Sequence, residues 1–246
     1  MYIDGFPAEY LQAKLKLINC RISELPDVRA GKRDGRDVLR QITRINGKRI
    51  VHEVSPNKQA GKVLLERSDY RKKLLAVKRQ IEASLKGLAV NCEIDVRKVN
   101  TLYDRKFWEQ IHIRAEFETK EKGYDYKGMI LDSRAEMIVA QTLDELGLEY
   151  RYEPRLIIGN DIYYPDFIVY LPEFQRCFFI EFLGKLNDLK YITRNEFKLM
   201  DYLNSGMVVN QDLLLFCGFE DRMVNADDMK DDIMALIKKY CRMYKA

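Results

Sequence analysis

Residues 177–185, CFFIEFLGK, decide how the chain is read. Cys177, Phe178, Phe179, Ile180, Phe182 and Leu183 describe a strand buried on both faces, yet Glu181 stands among them. An unpaired carboxylate there costs more than its apolar neighbours repay, so Glu181 must be neutralised, hydrogen-bonded or holding a cation.

The surrounding segments supply the fold. SRAEMIVAQTLDELG (133–147) reads as an amphipathic helix closed by Gly147, LEYRYEPRLII (148–158) as a strand, IYYPDFIVYL (162–171) as a second strand and RCFFIEFLG (176–184) as a third. YITRNEFKLMDYLNSG (191–206) follows as a helix closed by Gly206, then DLLLFCGF (212–219) as a fourth strand and ADDMKDDIMALIKKYCRMY (226–244) as a last helix. The expected fold is α/β: three meandering strands, with a strand-helix-strand crossover setting DLLLFCGF parallel to CFFIEFL in a mixed sheet flanked by helices.

The front half differs in charge and pattern. Up to residue 130 there are 28 Lys and Arg against 18 Asp and Glu, a net +10; beyond it 14 stand against 20, a net −6. A basic region joined to a carboxylate-rich one suits a polyanion, although a solvated basic surface has the same composition. Residues 8–19 read as a short helix, and ELPDVRAGKRDGRD (24–37) as a polar loop. Asn46-Gly47 is the strongest hairpin signal, and a type I′ turn there sets Arg44 opposite Arg49. Such a pair repels unless an anion lies between the two, so it marks either a phosphate contact or two side chains splayed into water. From Asn57 to Leu88 a stripe of Tyr70, Leu74, Val77, Ile81, Leu85 and Leu88 predicts a long packed helix, against a neighbour or a second copy. Weaker helical signals cover 94–117, and ETKEKGYDYKGM (118–129) reads as a charged linker or exposed hairpin. The expected organisation is thus a mainly helical, basic region with a β-hairpin over 1–125 and an α/β domain over 126–246.

Composition excludes several classes. With 47% hydrophobic residues the chain can build a sizeable core. No run of about 18 apolar residues is present, no membrane partner is expected, and MYIDGFPAEYLQAKLK lacks a secretory layout, so the expected location is the cytoplasm. The five cysteines are odd in number and widely spaced, which argues for core thiols over disulfides or zinc. His52 and His112 lie outside the acidic region, and neither a Ser-His-Asp arrangement nor a Walker loop is legible.

Three acids stand out: Glu136 in the first helix, Asp166 after Pro165 and Glu181 in the third strand. Adjacent strands bring the last two together, and two carboxylates in an apolar site call for a cation, which hard oxygen donors make Mg²⁺. Each acid also has a plain reading. Ser133-Arg134-Ala135-Glu136 matches a capping box, Asp166 can end a turn, and Glu181 can pair with a buried Lys or Arg.

SRAE, YYPDF and FFIEFLGK together resemble the core of the PD-(D/E)XK nuclease superfamily, the restriction-endonuclease-like fold, over Ser133 to Phe219. The resemblance is to a bacterial and phage branch in which the glutamate strand ends in Gly, before a helix carrying Tyr, Lys and Tyr: here Gly184, Tyr191, Lys198 and Tyr202. It implies that Asp166 and Glu181 bind Mg²⁺ (Mn²⁺ able to substitute), with the Phe182 carbonyl as a further ligand and Glu136 completing the acidic cluster. The family lysine two residues after the glutamate is replaced by Leu183, so Lys198 or Lys185 must serve, and Phe182 stands where the branch commonly has His. On the helix, Tyr191, Arg194 or Asn195, Lys198 and Tyr202 form one stripe, leaving Phe197, Met200 and Leu203 for packing.

The implied activity is Mg²⁺-dependent hydrolysis of DNA phosphodiesters. Tyr191 and Tyr202 would lie along the nucleic acid, and Arg29, Lys32, Arg33, Arg36, Arg40, Arg44, Lys48 and Arg49 would hold backbone phosphates. Two other readings stay open: an inactive nuclease scaffold that binds DNA, and a nuclease subunit of a larger DNA-processing complex. A homodimer is equally compatible.

Overall fold

The structure, a computed structural model, describes residues 3, 5–45, 48–88, 93–120, 122–218 and 225–246. It is a mixed α/β protein, with six α-helices and four small sheets among the described residues. The chain divides into two compact units, Leu11–Val90 and Met1–Tyr10 with Asn91–Ala246.

Helix α1 (Ala8–Glu24), of which all but the first turn lies in the Leu11–Val90 unit, is followed there by strands β1 (Asp27–Arg33), β2 (Arg36–Ile45) and β3 (Lys48–Val54), then helix α2 (Gln59–Leu85). The three strands form one antiparallel sheet in the order β1-β2-β3, so the expected polar loop is a strand. Its turn was legible in principle. Asp34 and Gly35 adopt φ of 51° and 75°, the left-handed pair that a two-residue type I′ loop requires, and Asp-Gly is a preferred sequence for it. The Asn46-Gly47 turn lies outside the described residues, but the expected register holds, with Arg44 opposite Arg49. The buried line of α2 runs through Gly61, Leu64, Ser68 and Ile81, whereas Tyr70 and Leu88, assigned to the stripe, are exposed. Gly61 is required there: a Cβ would stand 2.1 Å from the Ser55 carbonyl oxygen.

The second unit begins near residue 91 instead of 126, because residues before the expected boundary pack onto the sheet. The Cys177 N–H donates to the Tyr103 carbonyl at 2.6 Å, Tyr103 meets Phe179 edge-on at 5.0 Å, and Trp108, on the short helix α3 (Arg105–Gln110), stacks on Tyr170 at 5.4 Å. The charged stretch is a hairpin of β4 (Tyr124–Tyr126) and β5 (Met129–Leu131), turning at Lys127 and Gly128. Helix α4 (Arg134–Leu146) starts at the Ser133 cap and ends at Gly147 in the left-handed conformation, as its sequence dictates.

The central sheet has the order β11-β10-β9-β6, made of β6 (Glu149–Tyr152), β9 (Phe167–Leu171), β10 (Arg176–Leu183) and β11 (Leu213–Cys217). β10 runs antiparallel to β9 and parallel to β11, giving the expected mixed sheet. Two expected strands are each broken in two. Pro154 and Pro165 interrupt backbone donors, and β7 (Leu156–Ile158) with β8 (Asp161–Tyr163) forms a separate hairpin between β6 and β9. Helix α5 (Leu189–Asn204) supplies the β10-to-β11 crossover, and α6 (Ala226–Met243) follows. Of the cysteines, Cys177 and Cys241 are buried, Cys20 and Cys217 are exposed and Cys92 lies outside the described residues. No helix among the described residues is long and apolar enough to cross a membrane.

One buried charge went unread. Arg176 has no exposed surface; it pairs with Asp212 at 2.5 Å, donates to the Tyr244 hydroxyl and lies 4.3 Å over the Tyr240 ring. Asp212→Asn keeps the shape but leaves a buried cation without its counter-charge. Unfolding in urea should show a loss of about 3–5 kcal/mol, and a loss below about 1 kcal/mol would contradict this account.

Candidate active site

The register of β9 and β10 builds the site. Phe167 pairs with Ile180, so Asp166 and Glu181 are the next residues on neighbouring strands, on the sheet face shared with Ile168, Tyr170, Cys177 and Phe179. The Phe182 N–H donates to Asp166 Oδ2 at 2.6 Å, which ties the two strand ends together. Glu181 is buried, while Asp166 retains partial exposure.

Lys198 reaches across from α5. Its ammonium contacts Glu181 Oε1 and lies 3.4 Å from the Tyr164 carbonyl oxygen. Lys185 is exposed, one residue beyond Gly184. Of the two lysines considered, Lys198 is therefore the one placed on the glutamate. The other oxygen, Glu181 Oε2, is buried with no hydrogen-bond partner.

Electrostatics follow from this crowding. Burial pushes Asp166 well above the usual carboxylate range, and the negative charges of Glu181 and Glu136 push it further. Glu181 is also raised by burial, against the opposing pull of the Lys198 charge and hydrogen bond. Glu136 is near enough to act on both acids, yet its own oxygens are engaged. The Ser133 hydroxyl donates to Oε1 at 2.8 Å, and the Asp132 N–H and Tyr152 hydroxyl donate to Oε2 at 2.9 and 2.7 Å. Ser133 caps the helix by accepting from the Glu136 N–H, but Glu136 reaches back to the Asp132 N–H instead of the Ser133 N–H, so only half of the expected capping box forms; Tyr152 is a further site neighbour. Only its alternation with Tyr150 in EYRY pointed inward.

Tyr202 of α5 does not lie as a nucleic-acid contact would. Tyr202 is fully buried, edge-on to Tyr163 at 5.7 Å, and its unpartnered hydroxyl is driven upward in pKa by desolvation and then by Glu181 and Asp166. Tyr191 is half-buried; it accepts from the Gly184 N–H at 3.2 Å and donates to the Phe182 carbonyl at 3.4 Å, fixing the end of β10. The polar stripe does face inward, but the expected packing face does not pack: Phe197, Met200 and Leu203 are exposed. α5 instead packs Leu199 and Tyr202 into the core, with Asp201 accepting from the Tyr163 hydroxyl on β8 and Lys198 meeting Glu181 on β10. The Phe182 ring occupies the room left by Gly184 and Gly218, where a Cβ would come within 3.0 and 2.9 Å of it.

In the other unit, Arg36, Lys48 and Arg49 are exposed, as are Arg29 and Lys32, while Arg33 and Arg40 each bond Glu53 at 3.0 Å. Arg44 is placed by backbone register alone.

Among the described residues no group of three or more His, Cys, Asp or Glu side chains is set to hold a metal ion. The oxygen donors at the β9–β10 ends are Asp166, Glu181 and the Phe182 carbonyl. They fit Mg²⁺, which takes one or two carboxylates and completes its octahedron with water and phosphate; the unpartnered Glu181 Oε2 is an acceptor in want of a cation. Compared with protein-family models, curated proteins and solved structures, the chain gives no match.

Proposed function

We propose that the protein is a metal-dependent DNA endonuclease with a restriction-endonuclease-like core of the PD-(D/E)XK type, using Mg²⁺ or Mn²⁺ held by Asp166, Glu181 and the Phe182 carbonyl. The observation that carries this reading is the buried Glu181, with Lys198 on one oxygen and no partner on the other, beside Asp166 on the next strand. The order α4, β6, β9, β10, α5, β11, with β11 parallel to β10, supports the same fold.

When bound, the cation would polarise a phosphate oxygen and acidify a water molecule. The chain's own groups do the rest. Asp166 and Glu181 supply the negative charge that retains the ion, and the negative charge of Glu136 makes Asp166 more basic. Tyr191 orients the Phe182 carbonyl through its hydroxyl. Lys198 sets an ammonium group against charge developing on the phosphate, without conformational change at the moment of reaction. Supercoiled plasmid incubated with Mg²⁺ or Mn²⁺ should be nicked, with no product in EDTA or from Glu181→Gln. Intact plasmid, together with no Mn²⁺ binding isotherm lost in Glu181→Gln, would overturn the proposal.

A second reading, a DNA-binding or assembly protein on an inactive nuclease scaffold, is favoured by one observation: Leu183, at the usual lysine position, is buried, and Lys198 already neutralises Glu181. Its signature is salt-dependent DNA binding with neither cleavage nor metal binding. A nuclease subunit of a larger complex would instead bind metal, and would cleave only with its partners or as a homodimer.

A further inference from the structure

The Leu11–Val90 unit carries 20 Lys and Arg against 8 Asp and Glu, a net +12; the remaining residues carry 22 against 30. Its strand register shows where part of that charge collects. Directly paired residues of antiparallel strands point to the same side of the sheet. Arg33 with Arg36, Arg29 with Arg40, and Arg44 with Arg49 therefore occupy one face of β1–β3. The same face also carries Val38, Ile42 and Val51, while the other carries Leu39, Ile50 and Val54, buried or half-buried, beside exposed Lys32, Asp37, Lys48 and His52; Arg29, Arg33, Arg36 and Arg49 are exposed.

The direct pairs Arg33–Arg36 and Arg29–Arg40 in one small sheet work against its stability, since like charges opposite one another repel. Glu53 relieves part of this by bonding Arg33 and Arg40, the turn residue Asp34 lies 3.8 Å from Arg33, and Asp27 is the other acid that the register places on the face. Gly31 lets the Arg40 guanidinium lie across β1, where a Cβ would stand 2.8 Å from Nη1 and where Nη2 reaches the Lys32 carbonyl at 3.2 Å. A polyanion turns the remaining repulsion into attraction.

The spacing and composition specify which polyanion. Arg36, Arg40 and Arg44 recur every four residues along β2, so successive arginine rows stand about 13 Å apart. That is close to the ~12 Å width of the B-DNA major groove, so neighbouring rows can meet the two backbones bordering it. No Phe, Tyr or Trp occupies this face, which therefore lacks the stacking platform by which single strands are held. We infer that the arginine face of β1–β3 docks double-stranded DNA, its rows contacting phosphates on both sides of the major groove. This deepens the nuclease reading by naming a duplex substrate.

The test is binding of the full chain, in EDTA, to a short DNA duplex, the matching single strand and an RNA duplex, followed by fluorescence anisotropy across a salt series. Arg29→Ala/Arg36→Ala/Arg49→Ala should weaken duplex-DNA binding on the order of a hundredfold near 0.15 M salt and flatten the log–log salt slope by about 3. Lys62→Ala/Lys73→Ala/Lys86→Ala, on α2 and at its C-terminal cap, an equal loss of exposed charge, should lose far less. Glu53→Gln should tighten binding severalfold, an effect that a merely structural role would not produce, and it decides the matter if the triple arginine variant fails to fold. Equal losses in the two triple variants, unchanged or weaker binding by Glu53→Gln, or preference for the single strand or RNA would each overturn the inference. Asp166→Asn separates the two proposals: it should bind the duplex as the wild type does. Plasmid nicking that survives the loss of the arginines would leave the nuclease reading standing and this one overturned.

Discussion

Asp166→Asn is expected to abolish metal-dependent nicking while making the metal-free protein more stable at neutral pH. The loss of activity should be at least about a thousandfold, the upper range for removing one preorganised electrostatic group. The gain in stability follows from the raised pKa of Asp166, caused first by burial and then by Glu181 and Glu136. A carboxylic acid whose folded pKa lies above its unfolded one binds its proton more tightly in the native state. Its contribution is fully present below the ordinary carboxylate range and is lost as pH rises through the raised value. Above the ordinary carboxylate range Asp166 is thus a burden on the metal-free fold, which a bound cation would relieve. Asparagine keeps the shape, retains an oxygen to accept from the Phe182 N–H and removes the charge, so a gain of about 1 kcal/mol is expected at pH 7. Urea unfolding from pH 4 to 8 should show the two proteins converging toward the acid end. A variant less stable at pH 7, or a difference independent of pH, would refute the account.

Lys198→Met should remove activity and also destabilise the fold, with a pH dependence of the opposite kind. The lysine is the main influence holding Glu181 down against burial, and the two side chains are 20% and 4% exposed. Without the ammonium, an ionised Glu181 would be buried unpaired, a loss of about 3–5 kcal/mol. Protonation of Glu181 limits that loss, because its pKa rises further once Lys198 is gone. The destabilisation should therefore be largest at neutral pH and shrink on acidification, where Glu181 is neutral with or without the lysine. Lys198→Met/Glu181→Gln should recover much of the stability at pH 7 and none of the activity. A double variant no more stable than Lys198→Met would show that the lysine acts through some other contact.

Much of the second unit was legible because its signals are local. Ser133 and Gly147 bound α4 by capping and left-handed geometry, both properties of single residues. The apolar run of β10, with Glu181 inside it, marked a doubly covered strand before any neighbour was known. The first sheet is hard to see in the sequence for an equally local reason: β1 has little apolar alternation, and only the Asp34-Gly35 turn that creates it marks it within a polar stretch. Short-range signals also mislead when tertiary contacts override them. Tyr103 and Trp108 joined the second unit by packing on Phe179 and Tyr170, which no composition shift near residue 125 reveals.

By itself, the sequence determined the alternation of helices and strands around β10, the anomaly of Glu181 and the pairing of Arg44 with Arg49. Only the tertiary structure decided that Lys198 rather than Lys185 meets Glu181, that Tyr202 is buried, that α5 turns Phe197 to solvent, and that Arg176 finds Asp212. Periodicity says which residues share a face, but not which way the face points. That is settled where charged groups far apart in the chain must be brought together, because leaving a buried charge unpaired costs more than exposing a few apolar side chains.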